Sequence, residues 1–317
     1  MRPHVLLTKR IPSTVLEELK ATCDVDLHAG DEKISVDDLR ARVQGKQGLI
    51  CLITERVDGA LLDAGRDLKV VSNIAVGYDN IDVAAARERG IIVTNTPGVL
   101  TDAVAECTWA LMLGVMRRVG EGERTVRGGR WKGWALDFQL GCQLTGKQLG
   151  IIGMGEIGQA VAAKAKAFGM QVAYWAREGR PKAVPAEYQA MTLDQVLTSS
   201  DVVSLHVPLR PDTRHLIDQK ALMRMKRSAY LVNMARGPVV DEGALVWALD
   251  KAIIAGAALD VYEQEPVVHP GLFAFENVLL APHIASGTVE TRTAMAALAV
   301  RNAVAVLSGR PPLTPVL

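Results

Sequence analysis

Short runs of β-branched and other apolar residues recur along the chain, and between them apolar positions return every third or fourth residue. Runs of this kind read as strands buried on both faces, and the stretches between them as helices covering a sheet. The second half predicts strands at 149–153, 172–175, 202–206, 230–233, 256–259 and 278–281. A first alternating region predicts strands at 4–8, 25–27, 48–53 and 69–74, with helices at 13–22 and 36–43. Longer helical patterns sit at the two joins. One, 101–126, follows the breaker Thr96-Pro97-Gly98 with Thr101 as its N-cap; the other, 288–307, ends at Gly309 before Pro311-Pro312.

The expected fold is α/β, with two Rossmann-like or flavodoxin-like doubly wound parallel-sheet domains and a cleft between them. Residues 1–98 and 287–317 would form a discontinuous substrate domain, and 99–286 a dinucleotide-binding domain. Two crossings of a cleft would permit hinge closure.

Within the second region, the run Leu149-Gly150-Ile151-Ile152 leads straight into Gly153-Met154-Gly155-Glu156-Ile157-Gly158. A strand, a G-x-G-x-x-G turn and a helix in that order form a dinucleotide site. The first glycine allows the tight turn, the second lets main-chain N–H groups approach a pyrophosphate, and the third lets the helix pack close to the strand. At the end of the next strand, where an acid usually accepts the ribose hydroxyls, the chain reads Trp175-Ala176-Arg177-Glu178-Gly179-Arg180, with Lys182 close by. Missing acid and added cations favour a phosphorylated ribose, so NADPH is expected over NADH. The alternative is a solvated loop in which Arg177 pairs with a neighbouring acid, and Glu178 keeps NAD open.

Composition narrows the setting. With 317 residues the chain suits two domains, and 36 basic against 35 acidic side chains leave a net charge of +1 with no block of like charges to attract nucleic acid. No apolar run reaches membrane-spanning length, although 49% of residues are hydrophobic. Cys23, Cys51, Cys107 and Cys142 form no C-x-x-C pair and have no histidine at zinc spacing, so no metal is expected. The apolar run at Val5-Leu6-Leu7 is too short for a signal peptide, and a reduced, cytoplasmic enzyme is the expectation.

Ligands of an open parallel sheet bind beyond the carboxyl ends of its strands. The predicted strand ends carry His206-Val207-Pro208, Asn233-Met234-Ala235-Arg236-Gly237, Asp260 with Glu265 after it, and Pro282-His283. Arginine, carboxylate and histidine together are what a 2-keto acid reductase needs. Arg236 can grip a carboxylate and polarise the adjacent carbonyl with its planar fork of donors. His283 can deliver a proton to the carbonyl oxygen, and Glu265 can hold that ring and its proton in place. His206 would shape the cofactor floor, whereas His4, His28, His215 and His269 read as structural.

These blocks, with Ala75-Val76-Gly77-Tyr78-Asp79-Asn80-Ile81-Asp82 and Asn95-Thr96-Pro97-Gly98-Val99-Leu100-Thr101-Asp102, closely resemble the signatures of the D-isomer-specific 2-hydroxyacid dehydrogenases over nearly the whole chain. The resemblance implies that Arg236 binds substrate, that Glu265 and His283 are the acid–base pair, and that the backbone at Val76 and Gly77 cradles the substrate carboxylate. It also implies that Asp260 holds the nicotinamide carboxamide, that Thr101, His206, Pro208 and Ala235 line the cofactor, and that the chain is a homodimer. Arg130-Trp131-Lys132-Gly133-Trp134 and the acid-free Trp175-Ala176-Arg177 look most like the glyoxylate and hydroxypyruvate reductases. In that branch Trp134 would reach the partner's substrate. The chain departs at Ala135-Leu136-Asp137-Phe138, which lacks an expected proline and adds a charge. The resulting expectation is an NADPH-preferring reductase of glyoxylate or hydroxypyruvate. Its rivals are an NAD-dependent dehydrogenase of D-lactate, D-glycerate or phosphite, and a dinucleotide-sensing binding protein of corepressor type.

Overall fold

The computed structural model describes residues 2–177 and 184–316. The chain divides into two compact units, Met1–Leu100 with Gly287–Leu317, and Thr101–Ser286.

The first unit runs β1 (His4–Leu7), α1 (Ser13–Thr22), β2 (Asp24–Leu27), α2 (Val36–Arg42), β3 (Gly48–Cys51), α3 (Gly59–Ala64), β4 (Val70–Asn73), α4 (Val83–Glu88) and β5 (Ile92–Thr94). Its five strands are all parallel, in the order β2-β1-β3-β4-β5, which is the flavodoxin-like arrangement. Strands β3 and β4 are buried along their whole length, which is why they read as unbroken apolar runs. Leu6, Leu49, Cys51, Val71 and Val93 meet in the core. Helices start where side-chain oxygens cap them: Ser35 accepts from the Asp38 amide, Asp58 from Leu61 and Asp82 from Ala85.

The second unit runs α5 (Thr101–Met116), α6 (Val119–Arg127), β6 (Gln148–Ile152), α7 (Glu156–Ala165), β7 (Gln171–Trp175), β8 (Gln189–Ala190), α8 (Leu193–Ser199), β9 (Val202–Leu205), α9 (Gln219–Arg224), β10 (Tyr230–Asn233), α10 (Glu242–Asp250), β11 (Gly256–Leu259) and β12 (Val278–Leu280). The sheet order is β12-β11-β10-β9-β6-β7-β8, again all parallel. Strand order therefore reverses beside β6. That reversal is the switch point at which doubly wound sheets bind ligands. Trp109 of α5 donates its indole N–H to the Val161 carbonyl of α7 at 3.0 Å and stacks on Phe168, fixing the helix that covers this face.

Two expectations about the first long helix fail. The pattern over 101–126 is not a single helix, because Arg118 adopts φ 55° between α5 and α6. Its guanidinium is held by Glu121 at 2.7 Å and by the Leu140 carbonyl at 3.3 Å, and those contacts offset the cost of a left-handed non-glycine residue. Thr101 is the first helical residue and not the cap. The last helix, α11 (Val289–Leu307), belongs to the first unit, and Thr288 caps it by accepting from the Thr291 amide. Among the described residues no helix is long and apolar enough to cross a membrane.

Candidate active site

Strand β6 delivers the glycine turn to the switch point. Gly153 sits at φ 102°, and a Cβ there would lie 2.6 Å from the His206 carbonyl, so only glycine serves. A Cβ on Gly158 would meet the Gly153 carbonyl at 2.1 Å, which seats α7 directly on the turn. Gly155, the N-cap of α7, is exposed, has no capping side chain, and faces space with nothing within 4 Å of where its Cβ would stand. The unpaired amides of that first turn and their dipole fit a pyrophosphate. Met154 is buried and can contribute only main chain, whereas Glu156 and Ile157 open the helix.

The tip of β7 follows the alternative reading in one respect. Ala176 stands where an acid would, but Arg177 is already engaged by Asp212, 2.6 Å away and 35 residues on. That hydrogen bond also holds the Asp212 carboxyl below its ordinary pKa. A phosphate at this position would have to share or displace the carboxylate. Glu178, Arg180 and Lys182 lie outside the described residues.

Beyond β9, His206 bonds Ser204 Oγ through Nε2 at 2.8 Å, while its Nδ1 is buried without a partner among the described residues. Burial of the ring pushes its pKa down to about 3, so a neutral imidazole stands beside Gly153. Pro208 is exposed, with its carbonyl bound by Thr213 at 2.7 Å, and Ala235 is buried at the end of β10.

After β10 the chain turns sharply around Asn233. Its side chain accepts from the Ala235 amide and donates to the Arg236 carbonyl, both at 3.1 Å. A Cβ on Gly237 would lie 1.8 Å from the backbone of Tyr262, so glycine lets this turn rest on the loop after β11. Arg236 is half-buried, and its Nη1 is tied back to the Ala235 carbonyl at 2.9 Å.

The loop after β11 carries Asp260 and Glu265; the turn after β12 carries His283. Glu265 Oε2 lies 2.7 Å from His283 Nδ1, and Oε1 accepts from the Tyr262 amide at 3.0 Å. Burial on its own would raise the Glu265 carboxyl; the His283 hydrogen bond and charge, the Tyr262 amide and the charge of Arg236 outweigh it, and the net shift is downward. The residue is therefore an anion against the ring. His283 itself adopts φ 54°, a strained backbone for a non-glycine residue. Asp260 holds it there. Buried to 1% exposure, it accepts from the Ile284 amide through Oδ1 and from the Ala285 amide through Oδ2, each at 2.8 Å.

The structure thus gathers Arg236, Glu265, Asp260 and His283 on adjacent strand ends. Sequence reasoning missed Asn233 and Asp260 as the groups that shape the two turns, although an asparagine or aspartate closing a strand is a signal for such turns. Thr101 opens α5, and Val76 and Gly77 follow β4 in the other unit. Trp134 is 83% exposed and left mostly uncovered by its own chain.

The chain is similar to several known proteins. Residues 109–285 match the family profile described as D-isomer specific 2-hydroxyacid dehydrogenase, NAD binding domain. A glyoxylate reductase of Thermofilum pendens is 48% identical over 98% of this chain and 93% of its own. A solved structure from Thermus thermophilus is 46% identical, with a TM-score of 0.94 over 99% of this chain and all of that one. The NADPH-dependent glyoxylate/hydroxypyruvate reductase of Sinorhizobium meliloti, solved with NADP and malonate, is 35% identical, with a TM-score of 0.88 over 100% of this chain and 97% of that one.

Proposed function

The chain belongs to the D-isomer specific 2-hydroxyacid dehydrogenases, and from that membership we propose that it reduces glyoxylate or hydroxypyruvate with NADPH. It is an NAD(P)-dependent 2-hydroxyacid dehydrogenase. The observation that carries the acid–base part of this reading is the 2.7 Å pair of His283 and Glu265 beside Arg236.

In this reading a 2-keto acid, a proton and the reduced cofactor yield the 2-hydroxy acid and the oxidised cofactor. The bound nicotinamide supplies the hydride that adds to the carbonyl carbon. Arg236 grips the carboxylate and draws electron density toward the carbonyl oxygen. His283 gives its Nε2 proton to that oxygen as charge develops there. Glu265 fixes the ring through Nδ1 and balances its charge while the proton is held. The backbone at Val76 and Gly77 cradles the carboxylate, and the glycine turn with the first turn of α7 takes the pyrophosphate.

Preference for NADPH rests on Ala176, which removes the carboxylate that would repel a 2′-phosphate, and on Arg177, which can turn from Asp212 to a stronger anion. Homodimerisation is supported by the run of uncovered apolar side chains after α6: Trp131, Trp134, Leu136 and Leu140 are 56%, 83%, 81% and 66% exposed. A second copy covers them, and Trp134 completes the partner's substrate pocket. Sedimentation should show a dimer, and Trp134→Ala should change the ranking of keto acids more than cofactor affinity.

An initial-rate panel tests the proposal, with glyoxylate, hydroxypyruvate and pyruvate reduced by NADPH and by NADH, and phosphite oxidised with NADP and NAD. Glyoxylate or hydroxypyruvate with NADPH should give the highest kcat/KM, and Ala176→Asp with Arg177→Ser should reverse the cofactor order. Equal efficiency with both cofactors in the wild type would overturn the NADPH assignment; phosphite as the favoured substrate would overturn the keto-acid assignment.

A further inference from the structure

The loop after β4 is held in an unusual way. Three consecutive carbonyls are each taken by a donor from elsewhere in the first unit: Ala75 by the Thr96 amide at 2.8 Å, Val76 by Asn95 Nδ2 at 2.8 Å, and Gly77 by Asn73 Nδ2 at 2.9 Å. Each carbonyl shares a planar trans peptide with the N–H of the following residue, so pinning the oxygen aims that N–H the opposite way. The groups so aimed are the amides of Val76, Gly77 and Tyr78. Among the described residues no backbone or side-chain acceptor takes any of them. Val76 and Gly77 are half-buried and Tyr78 is exposed, so these three amides are open to a ligand at the surface of the loop.

The two asparagines are themselves fastened. Asn73, fully buried at the end of β4, also donates to Asn80 Oδ1 at 3.2 Å, and Asn80 donates to the carbonyls of Leu52 and Glu55 at 3.1 and 2.9 Å. Glu55, 3% exposed, is anchored by Thr8 Oγ1 at 2.8 Å and the Leu52 amide at 2.7 Å. Asn95 is held through its main chain by Thr314, whose hydroxyl donates to the Asn95 carbonyl at 2.6 Å and whose own place is set by Asn302. A carbonyl can receive only the NH2 end of an asparagine amide, so both side chains are oriented without ambiguity.

We propose that Asn95 and Asn73 are positioning residues for substrate: they fix the amides of Gly77 and Tyr78 as preset donors to the keto acid's carboxylate, with no contact to substrate themselves. The inference rests on the reading of the Val76 and Gly77 backbone as the carboxylate cradle and extends that cradle by one amide, to Tyr78. Such a device strengthens binding of the carboxylate equally before and during reaction, so its loss shows in KM and leaves kcat nearly intact.

The test measures glyoxylate kinetics, inhibition by oxamate, NADPH affinity and thermal stability for Asn95→Ala, Asn73→Ala and Asn95→Gln. Asn95→Ala should raise the KM for glyoxylate and the inhibition constant for oxamate together, by about 3- to 10-fold, the worth of one hydrogen bond. kcat and NADPH affinity should stay within about twofold. Asn95→Gln, which retains a donor, should recover part of the loss. Asn73 is fully buried, so Asn95→Ala, at a half-buried site, decides the matter if Asn73→Ala does not fold. Unchanged KM and oxamate binding in Asn95→Ala, with a wild type that reduces glyoxylate, would overturn this proposal alone. A wild type that neither reduces glyoxylate nor binds oxamate would overturn both it and the functional reading beneath it.

Discussion

Replacing Asp260 with asparagine should damage both the fold and the chemistry, because one carboxylate holds two amides that only an acceptor pair can satisfy. In the native protein both Asp260 oxygens receive an N–H at 2.8 Å, from Ile284 and Ala285, and the side chain is 1% exposed. Asparagine keeps the shape but turns one acceptor into a donor. One buried amide then loses a hydrogen bond to a charged group, worth about 1.5–3 kcal/mol, and meets a donor in its place. A net loss of about 2–4 kcal/mol follows, or a fall in Tm of roughly 4–16 °C for a unit of this size. The same clamp keeps His283 at φ 54°, so relaxation of the turn moves the ring away from its working position. A displacement of about 1 Å is enough to lower kcat on the order of 100-fold. Thermal unfolding, glyoxylate kinetics and NADPH binding of D260N together check the reasoning. Tm and kcat should fall, with cofactor affinity changed by only a few-fold. A variant with native Tm and native kcat would refute the clamp, and one defective only in NADPH binding would leave Asp260 with the carboxamide role that the family resemblance implies and none in the turn.

Arg236→Lys should be nearly as harmful as Arg236→Ala, with kcat/KM for glyoxylate falling by roughly 100-fold or more, since a point ammonium cannot reproduce the fork that spans carboxylate and carbonyl. Near-native kinetics in the lysine variant would rule out a planar clamp. His206 gives a pH prediction. Its folded pKa of about 3 lies below the ordinary histidine value, so under acid conditions the unfolded chain takes up a proton that the folded ring refuses. Stability should therefore fall as pH drops below about 6.5, with a slope approaching one proton, and His206→Asn should flatten that part of a denaturation series. Identical pH slopes for both proteins would place the buried charge penalty elsewhere.

Much of the larger unit was legible in its sequence because parallel strands buried on both faces leave unbroken apolar runs, and because their carboxyl ends must carry the polar chemistry. Arg236, Glu265 and His283 stand out for that reason. The break between α5 and α6 was not legible: Arg118 turns left-handed through contacts with Glu121 and Leu140, and no local residue type announces it. Strand β5 is three residues long and β8 two, too short to show a period. The Arg177–Asp212 pair joins residues 35 apart, and the Asn95–Val76 bond joins residues 19 apart, so both arise only when the chain folds. Nor did the spacing of Asp260 reveal that its partners would be the two amides after His283. Residue type gave the chemistry, and tertiary contact gave the geometry that makes it usable.

The most direct test of the central claim is glyoxylate-dependent oxidation of NADPH by the wild type and by His283→Ala, with NADPH binding measured in the same preparations. A proton donor acts in the transition state and touches the cofactor little, so the wild type should turn over and the variant should lose on the order of 100- to 10,000-fold in kcat while binding NADPH almost as before. A His283→Ala enzyme that reduces glyoxylate at close to the native rate would contradict the account.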